Sequence, residues 1–386
     1  MVKDHIIHRR SFLKLITASL LTGNLLACTH KKLFNPDEDI LLSGGSFTDG
    51  DILQNALVII NLTQKEKRLV ETPYLPHHIS IDPDNKYRII CFEKNGDNAC
   101  EIDLETQAVV QHFKSDDNRI FSGHGVFSHD GKKIISIETD KENHQGSINI
   151  RDRKTFGIIK SLPTLGLLPH DCQLIKDNVL VVSNTGRDES GFHQPSLVTI
   201  DLNTEKLIER VKLDAAGLSN GGLNCGHFKV TTENDLVISS APGNTEDKTL
   251  PGGVSIRTHD DVITTMTEPE LVIKRMTGEA LGIEFNQPHD VVAITHPDAN
   301  LLTFWSMQEK NLIKAYGIEK PRGICQTLDQ KNFIISYGED PAMAKVSTSD
   351  LMPQADSIVQ PTLASGEHLI NWSSTLREIM PKQVYD

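Results

Sequence analysis

From about Asp39 onward, apolar residues come in runs of four to six that alternate with polar ones or stay continuous. Tyr87–Phe92, Lys133–Ile137, Val179–Ser183, Leu236–Ser240 and Phe333–Tyr337 are examples. Turn-forming clusters separate them, such as Asp82-Pro83-Asp84-Asn85, Ser128-His129-Asp130-Gly131 and Thr232-Glu233-Asn234-Asp235. Runs this short, bounded by Asp, Asn, Gly and Pro, predict β-strands joined by tight turns. No stretch sustains a 3.6-residue apolar period, so long helices are not expected.

The strands fall into a repeating unit. One unit predicts strand a at His78–Ile81, b at Tyr87–Phe92, c at Cys100–Leu104 and d at Val109–Phe113. The next repeats it at His124–Phe127, Lys133–Ile137, Ser147–Ile150 and Ile158–Ser161. Histidines open strand a at positions 78, 124 and 170, spaced by 46 residues, and the same spacing separates Arg322 from His368. A repeat of this length built from four short strands predicts propeller blades.

Two further points settle the count. The interval from His227 to Arg322 holds 95 residues, room for two units. Pro288-His289-Asp290 copies Pro169-His170-Asp171, but starting a unit there divides the interval unevenly. Matching Val291–Thr295 to the b strands places Leu281 or Gly282 at the ring position and His289 in the a–b turn. At the ends, Ile40–Ser43, Ala56–Leu62 and Lys67–Glu71 read as strands b, c and d without an a, while Glu367–Trp372 reads as a lone a. The expected fold is therefore all-β, a seven-bladed β-propeller closed by N-terminal bcd strands and a C-terminal a strand. Such a closure hides the last sheet edge.

A propeller brings every strand a to its central axis. His78, His124, His170, His227 and His368 would then converge, with Arg322 in the same ring. In an antiparallel blade the start of strand a shares a face with the b–c loops. Those loops supply Glu93, Glu138, Asp140, Asn184, Arg187, His296, Glu339 and Asp340.

The first residues do not belong to the propeller pattern. His8-Arg9-Arg10-Ser11-Phe12-Leu13-Lys14 resembles a twin-arginine export motif, and an apolar stretch from Leu15 to Ala27 is too short for a stable span. Leu25-Leu26-Ala27-Cys28 looks like a lipobox, making Cys28 the expected lipidation site. An uncleaved anchor or an ordinary signal peptide is the alternative. The expected organisation is a lipoprotein signal over 1–28, a linker over 29–38, the propeller over 39–373 and a tail over 374–386. Expected localisation is the cell envelope, with the membrane reached through the lipid. Thr29 lacks the aspartate that favours inner-membrane retention, which leans towards the outer membrane.

Net charge is −13 and no basic block interrupts it, so a nucleic-acid partner is not expected. Apart from Cys28 there are five cysteines. Cys91 and Cys100 flank Lys94-Asn95-Gly96-Asp97, where Asn-Gly favours a hairpin turn, and would face each other across it. They form either a bridge or two packed thiols. Cys172 and Cys225 lie two residues from His170 and His227, as mixed ligands or as small buried residues between blades.

Several segments resemble the bacterial family catalogued as domain of unknown function 1513, exported proteins similar to YncE-like and WD40-like propellers. They are GHGVFSHDGKKIISIETD at Gly123–Asp140, LGLLPHDCQLIKDNVLVVSNTG at Leu165–Gly186, NCGHFKV at Asn224–Val230, VVAITHPDANLLTFWS at Val291–Ser306 and the terminal His368–Trp372. The resemblance spans about Asp39 to Trp372 and implies a seven-bladed propeller. It also implies a neighbourhood of imelysin-type and haem-containing iron-uptake proteins, and so iron-uptake partners in the envelope. Asn184-Thr185-Gly186-Arg187 departs from the more glycine-rich family pattern.

Five imidazoles at one mouth, with carboxylates outside them, suit a transition metal, and iron or copper is the expected ion. The expected metal ligands are His78, His124, His170, His227 and His368. Arg322, Glu93, Glu138, Asn184 and His296 are the expected ligand-binding residues around them. Arg322 either clamps an anion or neutralises Glu339 and Asp340. The histidines could instead be structural hydrogen-bonders inherited by every blade. Other readings are a metal-free, lactonase-like hydrolase using Glu138 or Glu93 as base, or a protein-docking scaffold. GxSxG, Walker, HExxH and CxxCH motifs do not occur.

Overall fold

The structure, a computed structural model, describes residues 34–380 apart from 189–190, 193–194, 214–221, 232, 244–246 and 260–261. The signal over 1–28, with Cys28, therefore lies outside the described residues.

Seven antiparallel blades of four strands surround one axis. Blade 1 pairs the N-terminal strands Ile40–Asp49, Ile52–Asn61 and Glu66–Thr72 with Leu369–Asn371 near the C-terminus, so the closure has the expected form. Blade 2 starts at His78–Ile81, blade 3 at Arg119–Phe127 and blade 4 at Pro169–Ile175. Blades 5, 6 and 7 start at His227–Val230, Ile283–Asn286 and Ile324–Gln326. His289 sits in the turn between strands a and b of blade 6, as its spacing required.

Alternation along each strand builds the core. In blade 2, Ile89 and Cys91 face blade 1, while Ile90 and Phe92 face blade 3. In blade 4, Leu180 and Val182 face blade 3 and Val181 faces blade 5. Each blade is thus packed on both faces, which is why its inner strands read as nearly unbroken apolar runs. The result is seven apolar clusters, one at every junction between neighbouring blades. All five described cysteines are buried free thiols in these junctions. Cys91 and Cys100 are directly opposed in register, as expected, with their sulfurs unbridged.

Three local features differ from the expectation. Phe34, placed in a linker by sequence, is buried against Trp372 with ring centroids 5.2 Å apart. Residues expected as a tail continue as a helix, Trp372–Ile379, whose Leu376 joins the junction of blades 1 and 2. Asn371 caps it, its side chain accepting from the Ser374 amide. Last, the b–c tip of blade 2 does not stand free. Its Lys94–Gly96 segment pairs with strand a of blade 3, carrying Lys94 towards the axis.

Candidate metal centre

The axial ring is built by six histidines, one more than the spacing showed. His77 and His78 come from blade 2, His124 from blade 3, His170 from blade 4, His227 from blade 5 and His368 from blade 1. Ring centroids of His77, His124 and His368 form a nearly equilateral triangle with sides of 4.9, 4.8 and 4.6 Å. His124, His170 and His227 form a second, with sides of 5.6, 4.4 and 5.4 Å. His78 stacks on His124 at 4.7 Å.

Local backbone irregularities aim these rings. In blade 3 the a–b register shifts between Ser136 and Glu138, leaving three residues of strand a, among them His124, opposite one of strand b. A bulge of this kind turns side chains away from simple alternation. Gly123 allows it, with φ of +104° and a hypothetical Cβ only 2.4 Å from the His77 ring. On the other side of His124, a Cβ at Gly125 would lie 2.4 Å from Phe92. In blade 4 a second bulge sets His170 and Asp171 opposite Ser183, between the pairs Pro169–Asn184 and Cys172–Val182. Consecutive residues of a regular strand face opposite ways. The bulge lets both His170 and Asp171 serve the axis.

Asp171 is the carboxylate around which the rings are organised. Its Oδ1 lies 2.8 Å from His124 Nδ1, and its Oδ2 lies 3.6 Å from His227 Nδ1. The Ser183 hydroxyl accepts from the Asp171 amide at 2.9 Å, holding the bulge. A second carboxylate, Glu367, lies 3.4 Å from His77 Nδ1 and takes a 2.7 Å hydrogen bond from Lys94. A carboxylate on Nδ1 leaves Nε2 as the free lone pair of a neutral imidazole, the arrangement seen behind metal-bound histidines. The Nε2 atoms do turn towards one another. His170 and His227 are 3.1 Å apart through Nε2, and His77 and His368 are 3.3 Å apart.

Electrostatics keep most of the rings neutral. Burial first, then neighbouring imidazoles, hold His77, His170 and His368 well below the ordinary histidine range. Burial also pushes His78 down to about 3, and lowers His124 despite the opposing Asp171. For Asp171, burial works to raise the carboxyl, but His124 and His227 outweigh it and hold it well below the carboxylate range. His124 Nε2 and His78 Nδ1 are buried without any hydrogen-bond partner. Orphaned lone pairs in the interior are costly, and a cation would satisfy them.

The other expected ligand-binding residues are placed elsewhere. Glu138 is fully buried and bound to Arg151 at 2.6 Å and to the Ser136 hydroxyl at 2.8 Å, so it faces a closed ion pair. Glu93 accepts from the amide and side chain of Asn98, closing its own hairpin. Neither carboxylate is free to act as a general base. Asn184 accepts from the Thr164 hydroxyl at 2.7 Å, tying the outer strand of blade 3 to blade 4. His296 is fully buried, 2.9 Å from the Thr303 hydroxyl, within its own blade rather than at the mouth. Arg322 donates to the Gly338 carbonyl at 3.2 Å, while Glu339 pairs with Lys320. The side chain of Arg187 lies outside the described residues.

Residues that spacing did not reveal complete the site: His77, Asp171, Lys94, Glu367 and Glu279. Glu279 Oε1 lies 4.0 Å from His227 Nε2 and is one-third exposed at the rim. The doublet His77-His78 and the dipeptide His170-Asp171 were visible signals; a bulge lets His170 and Asp171 share the centre, and His77 reaches it from just before strand a of blade 2.

Residues 70–371 match the family described as Protein of unknown function (DUF1513). The chain belongs to this family. No curated protein matches it. Among solved structures, Kuenenia stuttgartiensis hydrazine synthase superposes with a TM-score of 0.61 at 14% identity, covering 84% of this chain and 99% of that one. The dihydro-heme d1 dehydrogenase NirN in complex with DHE gives 0.60 at 10% identity, covering 91% and 78%. Pseudomonas aeruginosa periplasmic gluconolactonase PpgL gives 0.57 at 11%, covering 83% and 95%. At such identities these likenesses establish the propeller fold alone.

Proposed function

We propose that this DUF1513 protein is an exported, lipid-anchored propeller that binds a transition metal, iron or copper, at its axial histidines and serves acquisition of that metal in the cell envelope. The observation that carries the reading is the pair of imidazole triads, each with its ligand atoms within 4.8 Å of one another. A nitrogen–metal bond of about 2.0–2.1 Å converts N···N separations of 3.1 and 3.3 Å into bite angles of roughly 95–110°. Three rings on one ion would have centroids about 5 Å apart, close to the sides of the His77–His124–His368 triangle. Neutral imidazole favours iron, copper, zinc or nickel over magnesium or calcium. The export motif at Arg9-Arg10 and the lipobox ending at Cys28 support the envelope assignment. Export of a folded chain would also allow a metal to be loaded before translocation.

The experiment is metal analysis of protein purified separately from cytoplasmic and envelope fractions, followed by titration of the metal-stripped protein with copper and iron. About one equivalent of either ion is expected, lost in the His124→Ala/His170→Ala/His227→Ala variant. Trace metal on isolation and no uptake on titration would sink the proposal. Cys28→Ser should move the protein from the membrane to the soluble envelope fraction; if it stays with the membrane, the lipid assignment fails.

A further inference from the structure

The six imidazoles do not form one ring around one point. The bite of His77 and His368 belongs to blades 2 and 1, and that of His170 and His227 to blades 4 and 5. Each joins His124 in a triad, yet the two bites do not join each other in any group of that compactness. His77 stands 6.2 Å from His170 and 6.4 Å from His227 between centroids, although His227 and His368 approach to 4.8 Å. A single first-row ion with bonds of about 2.0–2.1 Å cannot hold both bites at once.

His124 lies between them and has one lone pair to offer. Its Nδ1 faces Asp171 at 2.8 Å, and its Nε2, in a side chain only 1% exposed, has no partner. We infer that the centre holds one ion at two alternate stations, His170–His227 and His77–His368, with His124 the ligand common to both. The inference rests on the metal-binding reading above and adds how the ion is shared between two ligand sets.

The charges around the two stations differ. Glu279 stands at the rim beside His227, one-third exposed. Among the described residues, no lysine or arginine pairs with the carboxylate of Asp171, which faces the same station. The other station adjoins the Lys94–Glu367 ion pair, 2.7 Å across, with Glu367 3.4 Å from His77 Nδ1. The Lys94 ammonium opposes a cation beside His77, whereas Asp171 and Glu279 favour one at His170–His227. Passage needs only exchange of ligands around a fixed imidazole, with no change in oxidation state.

The test uses the full purified protein and Cu(II) alone as probe, with stoichiometry from titration and ligand sets from electron paramagnetic resonance. Wild type should bind one equivalent. H170N/H227N and H77N/H368N should each still bind one equivalent, with affinity reduced less than about tenfold and with different spectra, while H124N should lose more than about 100-fold. Lys94→Met should raise the share of the spectrum belonging to the His77–His368 station. Two equivalents in wild type would overturn the inference, as would binding abolished by one double variant and untouched by the other. No binding by wild type would instead defeat the metal-binding reading itself. If a double variant fails to fold, by its unfolding curve, the singles H170N and H77N carry the same comparison.

Discussion

Two buried polar assemblies in neighbouring blades show opposite designs. In blade 3, Glu138 and Arg151 are buried together, joined at 2.6 Å, with Ser136 bridging to both. Arg151 spends a further donor on the Phe156 carbonyl. Every strong group there finds its complement within the protein. At the axis, His124 Nε2 and His78 Nδ1 find none, and ring nitrogens of neighbouring histidines face each other across 3.1 and 3.3 Å. A closed network holds a fold together; an open one, kept neutral by burial, has capacity left for something from outside. Both contain residues that the sequence marks equally as polar near a strand end.

The comparison can be broken most severely at the closed network. Glu138→Ala should destabilise the protein by about 3–5 kcal/mol, because it leaves the Arg151 charge buried and unpaired. Metal stoichiometry of the folded fraction should not change. Urea unfolding with parallel copper titration checks both; lost copper binding with normal stability would place Glu138 in the centre after all.

At the open network, Asp171→Asn should cost affinity rather than fold. Replacing the carboxylate behind His124 and His227 should weaken copper binding by about 10–100-fold. Isothermal titration reads the change, and an unaltered affinity would remove Asp171 from the site.

The smallest effect concerns His296, buried like the axial rings but on one hydroxyl within its blade. Burial pushes it down to about 3, from an ordinary value near 6.5. Below about pH 6.5 the unfolded chain takes up a proton that the folded one refuses. Stability contributed by this residue is therefore complete above that pH and falls on acidification towards pH 3, by up to about 1.4 kcal/mol per pH unit. His296→Gln should flatten the acid limb of the stability profile by about that slope. An identical slope in the variant would show that His296 titrates normally in the folded protein.

Much of the architecture was legible because it depends on local alternation. The strands of blade 6 followed from matching Val291–Thr295 to other b strands, and the position of His289 in a turn followed with them. The histidines at 78, 124, 170, 227 and 368 were found because equal spacing in a repeat means equal position in a blade. Glu138 and His296 were misplaced for a related reason. Position near the end of strand b says which end of the blade a residue occupies, but not whether its side chain closes on a partner in the same sheet. Asp171 was overlooked because alternation assigns adjacent residues to opposite sides, and only a bulge sets that aside; His77 lies just before its strand, outside the repeating position. Lys94 escaped because a hairpin tip can pair with the next blade's strand without any mark in its own sequence.

By itself, the order of apolar and polar residues determined the strands, their grouping into seven units and the phase that sends one histidine after another to the axis. Those are consequences of short-range periodicity, and periodicity is written along the chain. Which nitrogens face each other, which carboxylate stands behind them and which charges cancel were decided only in the closed propeller. Bulges, blade junctions and burial bring together residues as distant as His77 and His368, and the field each ring experiences comes from those neighbours rather than from its place in the sequence.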